Sequence, residues 1–515
     1  MRSTHFVCAL AGAALWGLAA PAPATAARIG QFDTQQDIGA TALRGAATFD
    51  RRANAYRVTG GGANIWANAD AFHYVWTQRS GDLHVAADIA FAAAGPASDP
   101  HRKAGLMIRQ NLTPGSPYAD VMVHGSGLVS LQWRDVQDGP THQLESNVAA
   151  PRRVRLEREG DYVFFSVAGA DSVLHHAGGN YRIRIPGPYH VGLAVSAHNN
   201  ALAESATFSQ VEMNVPVLAV VPDTGYPARV EATLEVMEVG GAQSRRVVRH
   251  FDAKIEAPNW THDGQSLIYN SGGLIYRIPV AGGEPVVVNT GPNRKNNNDH
   301  GISPDGTQLI ISDQSEADNL SRIHLLPLAG SDAPRLIVGR PDARSYWHGW
   351  TPDGRTIAYV HVAADNSAYD IYTRDLAGGP ERVLIHSEGV NDGPEYSPDG
   401  GWLYFNSTRS GAMQIWRAHA DGSNPEQVTN DIAWRDWFPH FSPDGRWIAF
   451  ISFGTDIPLG DHPPNRDVSL RIMPADGSAP PQILTRLFGG QGTINVPSWS
   501  PDGQHIAFVS YRLVR

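Results

Sequence analysis

Ser397-Pro398-Asp399-Gly400, followed by a β-rich run at 402–406, is the segment that best indicates how this chain folds. Five close copies lie in the second half of the 515-residue chain. They read Thr261-His262-Asp263-Gly264, Ser303-Pro304-Asp305-Gly306, Thr351-Pro352-Asp353-Gly354, Ser442-Pro443-Asp444-Gly445 and Ser500-Pro501-Asp502-Gly503. The intervals between successive Asp positions are 42, 48, 46, 45 and 58 residues. Repeats of this length with several short strands each are typical of a β-propeller.

Each copy has the chemistry of a tight turn between two strands. Proline presets φ, the aspartate caps the turn through nearby backbone N–H groups, and glycine supplies a positive φ. Only one strand-like run, at 505–511, follows the last copy. Two runs without the motif precede the first copy, at 232–239 and 245–251, and we expect them to complete the sixth blade. Strands from both ends would then close the ring and remove its open edges.

Residues 230–515 resemble the TolB-type six-bladed β-propellers, with WD40-like repeats. Besides the repeated turns, the resemblance rests on Tyr404-Phe405-Asn406-Ser407-Thr408-Arg409-Ser410-Gly411 and the Gln414-Ile415-Trp416 that follows. TolB is a periplasmic protein-interaction module of the cell envelope. Related propellers serve as peptidase lids, and oligogalacturonate lyases use a similar ring with histidines and a metal at its centre. One fold hosts many functions, so the resemblance leaves these functions open.

The first half of the chain predicts a different β domain at 28–215. About nine alternating strands separated by turn residues favour a two-sheet sandwich. The runs 103–109 and 189–196 resemble concanavalin- or laminin-G-like jelly rolls, which are often attached to secreted carbohydrate-active proteins. A segment rich in Pro and Val, 216–229, predicts a packed connector to the propeller at 230–515. The expected fold class is therefore all-β, a jelly-roll sandwich followed by a six-bladed propeller.

The N-terminus predicts a cleaved bacterial signal peptide at 1–26. Arg2 precedes an apolar run, and Ala24-Thr25-Ala26 fits the small-residue cleavage pattern. The apolar run is too short to span a bilayer, and the single cysteine, Cys8, lies within it. We therefore expect a periplasmic or extracellular monomer without a membrane span or disulfide bonds. The net charge of −10 argues against a nucleic-acid partner, because such binding depends on clustered Lys and Arg.

Candidate site residues emerge when the six repeats are aligned on the motif aspartate. At the position five residues before it, four copies carry Pro, whereas two carry His300 and His348. One position later, two other copies carry Glu395 and His440. We expect these four to face a central channel as catalytic residues. Nearby candidates for substrate binding are Trp347, Asp392, Trp437 and Asn495, together with Arg466 from an insertion at 453–467.

The residue types in this set suit two kinds of chemistry. His300, His348 and His440 could hold a divalent metal such as Ca, Mn or Zn. The same groups could act as general acid and base on a sugar without a metal, or could simply be polar lining of a water-filled channel. Tryptophan rings would cover sugar faces, and Arg466 would grip a carboxylate.

Three functional hypotheses follow from the sequence. The first, which we favour, is a carbohydrate-active protein that binds a glycan, with acidic sugars preferred. If it cleaves the glycan, it would be a metal-assisted polysaccharide lyase or a glycoside hydrolase. The second is a non-catalytic TolB-like module that binds a cell-envelope protein. The third is a purely structural protein.

Overall fold

The structure is a computed structural model, and it describes residues 28–169, 172–216, 229–240 and 244–514. In these ranges it contains 37 strands and no helix, so the all-β prediction is confirmed. Over the same ranges, no helical segment has the length and apolarity needed to cross a bilayer. The predicted signal peptide and most of the predicted connector fall outside the described residues.

The N-terminal half contributes seven strands to each of two sheets, which enclose one core. Strands β1 to β14 span Thr34–Ile38, Ala46–Asp50, Ala55–Gly60, Phe72–Arg79, Leu83–Phe91, Lys103–Arg109, Tyr118–His124, Val129–Arg134, His142–Glu145, Arg153–Glu159, Tyr162–Ala168, Leu174–Arg182, Tyr189–Ser196 and Glu204–Asn214. One sheet has the order β1-β4-β13-β6-β7-β8-β9, and the other β2-β3-β14-β5-β10-β11-β12. Val58 and Val85 from one sheet and Leu106 and Val121 from the other share a buried apolar cluster.

Fourteen strands replace the nine that the sequence suggested, for two physical reasons. Strands β1 and β12 are rich in polar residues or glycine, and their sequences therefore show no apolar face. Strand β4 is buried along most of its length, so it shows no clean alternation of apolar and polar residues.

The C-terminal half is a propeller-type domain of repeated sheets. Strands β15 to β37 span Val230–Glu238, Arg245–Phe251, Glu256–Trp260, Ser266–Ser271, Leu274–Pro279, Val286–Val288, Asn296–Ile302, Gln308–Asp313, Arg322–Pro327, Arg335–Val338, Ala343–Trp350, Thr356–Ala363, Tyr369–Asp375, Arg382–Ile385, Asn391–Tyr396, Trp402–Ser407, Gln414–His419, Glu426–Gln427, Arg435–Phe441, Trp447–Phe453, Pro464–Pro474, Gln482–Gly490 and His505–Leu513. Strands β17 to β32 form four successive four-stranded sheets in chain order. Strands β33 to β36 pair in the same way, and β37 pairs with β15, which pairs with β16.

The repeated motif forms the same hydrogen-bonded turn in each unit. In one copy, the Ser303 hydroxyl donates to Asp305 Oδ1 at 2.5 Å. The backbone N–H of Thr307 donates to the same oxygen at 3.0 Å, and that of Gln308 donates to Ser303 Oγ at 3.0 Å. Gly306 has a φ of +73°, which a residue with a side chain rarely adopts. The turn chemistry expected from the motif is therefore present.

The six turns stand side by side in a closed order. A Cβ atom added to Gly354 would lie 3.6 Å from Pro304 of the preceding copy, and the other copies follow the same rule. The first copy neighbours the last, because Gly264 faces Pro501 at 4.0 Å. The first five motifs each follow the first strand of their unit, β17, β21, β25, β29 and β33, so these strands lie together on the inside of the domain.

The two halves of the chain share continuous sheets. Strand β9 pairs in parallel with β16, and β12 pairs with β36. Arg512 on β37 reaches into the first half, where its Nη2 donates to Glu157 at 2.7 Å and to Glu159 at 2.5 Å. Paired strands and a buried charge cluster therefore connect the halves directly.

Candidate functional site

A cavity of about 520 Å³, lined by many residues with polar groups, lies where the inner strands of neighbouring propeller units converge. Strands β21, β25, β29 and β33 contribute to its wall, together with segments at 461–464 and 491–495. Its lining residues are Asn297, Asn298, Asp299, Gln314, Arg344, Tyr346, His348, Val360, Val362, Tyr369, Asp392, Phe438, Asp461, His462, Pro463, Pro464, Gln491 and Asn495. Of the predicted site residues, it therefore includes His348, Asp392 and Asn495.

β-Bulges in two inner strands aim additional side chains at the cavity. The register shifts within β21 between Asn296 and His300, and within β25 between Trp347 and Gly349. Extra residues in a bulge are left unpaired and their side chains are re-aimed. The bulged residues 297–299 and His348 line the cavity, whereas His300, which is paired with Ile311, does not.

His348 lies between two buried carboxylates. Its Nε2 is 3.2 Å from Asp392 Oδ1 and 3.8 Å from Asp299 Oδ1. Burial alone would lower the pKa of His348, but the negative charges of Asp299 and Asp392 outweigh it, and the pKa lies above its usual value. The Phe438 ring stacks on the imidazole at a centroid distance of 5.8 Å, which fixes its plane.

The two carboxylates beside His348 have opposite pKa shifts. Burial raises the pKa of Asp299 to about 7, with the charge of His348 opposing and those of Asp392 and Glu256 adding to the effect. Burial also acts to raise the pKa of Asp392, but its hydrogen bond and attraction to His348 hold that pKa below the usual value. One carboxyl group therefore takes up a proton near neutral pH while its neighbour stays ionised.

Glu395 and His440 form a closed pair away from the cavity wall. Glu395 Oε2 is 2.6 Å from His440 Nδ1, and Glu395 Oε1 accepts the backbone N–H of Phe441 at 2.9 Å. His440 Nε2 lies 3.2 Å from the carbonyl oxygen of Ile494. All of these hydrogen-bond partners lie within the protein. The contact between Glu395 and His440 links inner strands β29 and β33.

His300 is fully buried between inner strands, and the backbone of Ala257, Ile268 and Asn297 surrounds it. Burial lowers its pKa to about 4, so the imidazole is neutral under physiological conditions.

The structure does not assemble His300, His348 and His440 into one metal-ligand set. Within the described ranges, three ligand atoms of His or carboxylate residues come within 4.8 Å of one another at only two places, both elsewhere. Only His348 of the three lines the cavity, whereas His300 pairs with Ile311 and His440 pairs with Ala449 away from it. The expectation of a shared ligand set is therefore wrong for this geometry.

The predicted tryptophans do not present a face to the cavity. Trp347 is 1% exposed and packs on Gly301, whose missing side chain leaves room for the indole. Trp437 is fully buried and stacks on His462 at a centroid distance of 4.3 Å. Both rings fill the space between inner strands, so the expected role in covering sugar rings is not supported.

The two remaining predicted substrate contacts differ in position. Asn495 is at the cavity, and its side-chain oxygen accepts the backbone N–H of Gly492 at 2.6 Å. Arg466 is not a lining residue, and its Nη1 donates to the carbonyl oxygen of Asn465 at 3.1 Å.

Sequence reasoning did not select several side chains of the cavity wall. Arg344 and Tyr346 lie on the same strand as His348 at alternate positions, so the period of a strand could have suggested them. Tyr369 and Gln314 come from neighbouring strand ends and carry no such signal. His462 lies in the insertion that the sequence singled out, although the residue selected there was another one.

The fold and the cavity define a β-propeller protein with a polar inner site. The TolB beta propeller domain family matches residues 338–458. The uncharacterized protein Atu1656 of Agrobacterium fabrum is 46% identical over 289 residues, covering 56% of this chain and 95% of that protein. The chain belongs to this TolB-type β-propeller family.

Two further comparisons agree with this assignment. A solved TolB structure from Agrobacterium tumefaciens is 46% identical and covers 55% of this chain and 99% of that chain, with a TM-score of 0.52. The Tol-Pal system protein TolB of Francisella tularensis is 25% identical over 283 residues. That match covers 52% of this chain and 59% of the TolB protein.

Proposed function

We propose that the chain is a TolB-like protein-interaction module of the bacterial cell envelope, with the cavity beside His348 as its docking site. In this proposal the six repeated units are blades of one ring, and the N-terminal sandwich is a jelly-roll domain attached to it. The protein works in the periplasm and binds a segment of an envelope protein. The family assignment and the composition of the cavity wall support the proposal.

The observation that carries this proposal is the set of half-buried side chains in the cavity wall. Tyr346, Tyr369 and Arg344 are neither fully buried nor fully exposed there. Tyr and Arg are the residue types that most often dominate binding energy at protein interfaces, because they combine large contact area with directional hydrogen bonds. The cavity therefore offers anchors for an inserted chain segment.

The polar lining suits an extended peptide backbone. Asn297, Asn298, Gln314 and Gln491 offer both amide donors and carbonyl acceptors, and they lie around the same opening. An extended segment carries both kinds of group along its backbone and needs both satisfied when it is buried. We expect the backbone groups of such a segment to replace their hydrogen bonds to water with hydrogen bonds to these side chains.

Substitution of the cavity anchors tests the proposal. The wild-type protein, Tyr369→Ala and Arg344→Ala are used to capture envelope proteins, and the affinity of the purified partner is then measured for each variant. We expect at least about 30-fold weaker binding for each, because a central Tyr or Arg typically contributes about 2 kcal/mol or more.

Matched substitutions outside the cavity serve as controls. Tyr276 is a half-buried tyrosine on β19, and Arg382 is an exposed arginine on β28. Tyr276→Ala and Arg382→Ala should bind as the wild type does. Equal loss in the control variants, or full binding by both cavity variants, would remove the cavity from the interaction.

A specific observation favours a second candidate function, glycan binding with cleavage. Asp299 and Asp392 face one histidine, and their pKa values are displaced in opposite directions. Environments that push two carboxyl pKa values apart are typical of general acid and base pairs in glycosidases. In this candidate, protonated Asp299 gives a proton to the leaving oxygen, and ionised Asp392 acts through His348 or on water.

Turnover separates the two candidates. A panel of neutral and acidic oligosaccharides is incubated with the wild type, Asp299→Asn and His348→Gln, and reducing ends are measured. Cleavage by the wild type that both variants lose would favour the glycan candidate. Absence of cleavage together with cavity-dependent protein binding would favour the interaction module.

A further inference from the structure

A second pocket, of about 500 Å³, adjoins the propeller cavity described above. The two spaces share part of their walls, namely Asn297, Asn298, Gln314 and Gln491. Besides two glycines, the side chains that line only the second pocket are those of Lys254, Glu256, Asn270, Arg294, Lys295 and Asn296. Because the walls are shared, a chain segment that docks in the cavity can extend into the second pocket.

Two buried side-chain oxygens of the second pocket have no hydrogen-bond donor. Asn270 is 3% exposed and Asn296 is 4% exposed, and the Oδ1 atom of each has no partner among the described residues. The Nδ2 atom of Asn296 donates to the carbonyl oxygens of Gly273 at 2.8 Å and Asn293 at 3.0 Å, which fixes the orientation of this amide. A buried acceptor without a donor costs free energy, so these oxygens indicate a ligand that supplies N–H or O–H groups.

Two uncompensated cations lie at the rim of the second pocket. Arg294 and Lys295 directly precede β21, and both are exposed. The third cation, Lys254, lies with its Nζ 2.6 Å from Glu256 Oε1, so these two charges offset each other. In the part of the chain that the structure describes, no carboxylate forms an ion pair with the side chain of Arg294 or Lys295. The lining therefore favours an anionic group at this rim.

The composition of the second pocket favours a peptide over a small molecule or a sugar. Small-molecule sites are lined mainly by apolar and aromatic side chains. The described lining of the second pocket has amide and charged side chains and two glycines instead. A peptide backbone supplies the N–H donors that Asn270 and Asn296 lack, and a carboxylate side chain supplies charge-assisted hydrogen bonds to Arg294 and Lys295.

We propose that the second pocket receives an acidic residue of the peptide segment that docks in the propeller cavity. This inference rests on the proposed function of the cavity. Backbone N–H groups at the acidic residue donate to the Oδ1 atoms of Asn270 and Asn296. Its carboxylate lies against Arg294 and Lys295, and the segment continues past the shared wall into the cavity.

Selection from a peptide library tests this inference. The purified full chain and the double variant Arg294→Ala/Lys295→Ala each select binders from one displayed library of random peptides of about 12 residues. Peptides selected by the wild type should share an Asp or Glu at one position, and those selected by the double variant should not. Both substitutions are at exposed positions, so the fold should tolerate them.

The strongest selected peptide then gives a quantitative measurement. Replacing its shared acid by the corresponding amide should weaken binding to the wild type at least about 10-fold, because a charge-assisted pair is lost. The same replacement should change binding to the double variant little, because the partner cations are already absent. N-methylation of the peptide backbone at the acid removes an N–H donor and should also weaken binding to the wild type about 10-fold.

A second pair of adjacent exposed cations provides the matched control. Arg51 and Arg52 lie in the turn between β2 and β3, and Arg51→Ala/Arg52→Ala should bind the selected peptide as the wild type does.

The outcomes separate this inference from the proposed function. Peptides that need Tyr369 but show no acidic preference, or that bind the double variant Arg294→Ala/Lys295→Ala equally well, would overturn the acidic subsite and leave the docking cavity in place. Selection of no peptide by the wild type would overturn both. Binding of trigalacturonic acid that the double variant loses, with selected peptides unaffected, would assign the second pocket to a glycan and overturn the inference.

Discussion

The Asp299→Asn variant should be more stable than the wild type, and this gain in stability should be larger at alkaline pH than at acidic pH. A carboxyl pKa raised from 3.8 to about 7 means that the folded state holds its proton more tightly than the unfolded state. The wild type therefore loses stability as the pH rises through this range, and the loss is complete above the folded pKa. The difference between the two pKa values corresponds to at most about 4 kcal/mol of unfolding free energy, at 1.36 kcal/mol for each pKa unit.

The assay compares urea unfolding of the wild type and Asp299→Asn at pH 4 and pH 8. The gain from the substitution should grow by up to about 4 kcal/mol between these pH values. Infrared difference spectra should also show a protonated carboxyl band at pH 5 that is missing in the variant. Asp305→Asn is the control, since hydrogen bonds lower that pKa and give the opposite sign. A pH-independent effect of Asp299→Asn would show that the Asp299 carboxyl group has the same pKa in the folded and unfolded states.

Three further substitutions test packing and domain contacts. Gly301→Ala should cost about 1–3 kcal/mol in thermal unfolding, because the added Cβ would lie 2.0 Å from the Trp347 ring. Ser442→Ala should cost about 1–3 kcal/mol in urea unfolding, because a backbone N–H loses its acceptor at 3.0 Å. Arg512→Ala should cost about 1.5–3 kcal/mol by calorimetry and separate the unfolding of the two halves, because buried Glu157 loses one of its two arginine partners and keeps only Arg155.

Each of these variants has a control and a contradicting result. Gly169→Ala has open space around the new methyl group and should be neutral, so equal loss there would discount the packing argument. Ser410→Ala is the control for Ser442→Ala, because it removes an exposed hydroxyl and should change the free energy of unfolding little. Arg446→Ala breaks an exposed ion pair, which typically contributes at most about 1 kcal/mol. A single unchanged transition in Arg512→Ala would show that the halves are not coupled through this cluster.

Much of the fold could be predicted because the repeated turns are local. Ser303, Asp305 and Gly306 make their contacts within a few residues, so the chemistry of the turn is visible in the sequence itself. The continuity of β9 with β16 and of β12 with β36 could not be predicted. These pairings join segments that are distant in the chain and have no repeated pattern.

The candidate site was only partly predictable for a specific geometric reason. Counting back from the motif aspartate places His300 and His348 at equivalent positions, but the bulges in strands β21 and β25 have different lengths. His348 is itself the bulged residue and reaches the cavity, whereas His300 is a paired residue and is buried. Asp392 was selected as a neighbour and lines the cavity. Asp299 was assigned no role, because its burial is a tertiary property.

Photo-crosslinking from the cavity gives the most direct test of the proposed docking site. A photoreactive amino acid replaces Gln314, a half-buried lining residue, or Val383, which is 54% exposed on outer strand β28. In living cells, we expect one crosslinked envelope protein from position 314 and none from position 383. Crosslinking of that protein from position 383 alone would show that it does not dock in the cavity.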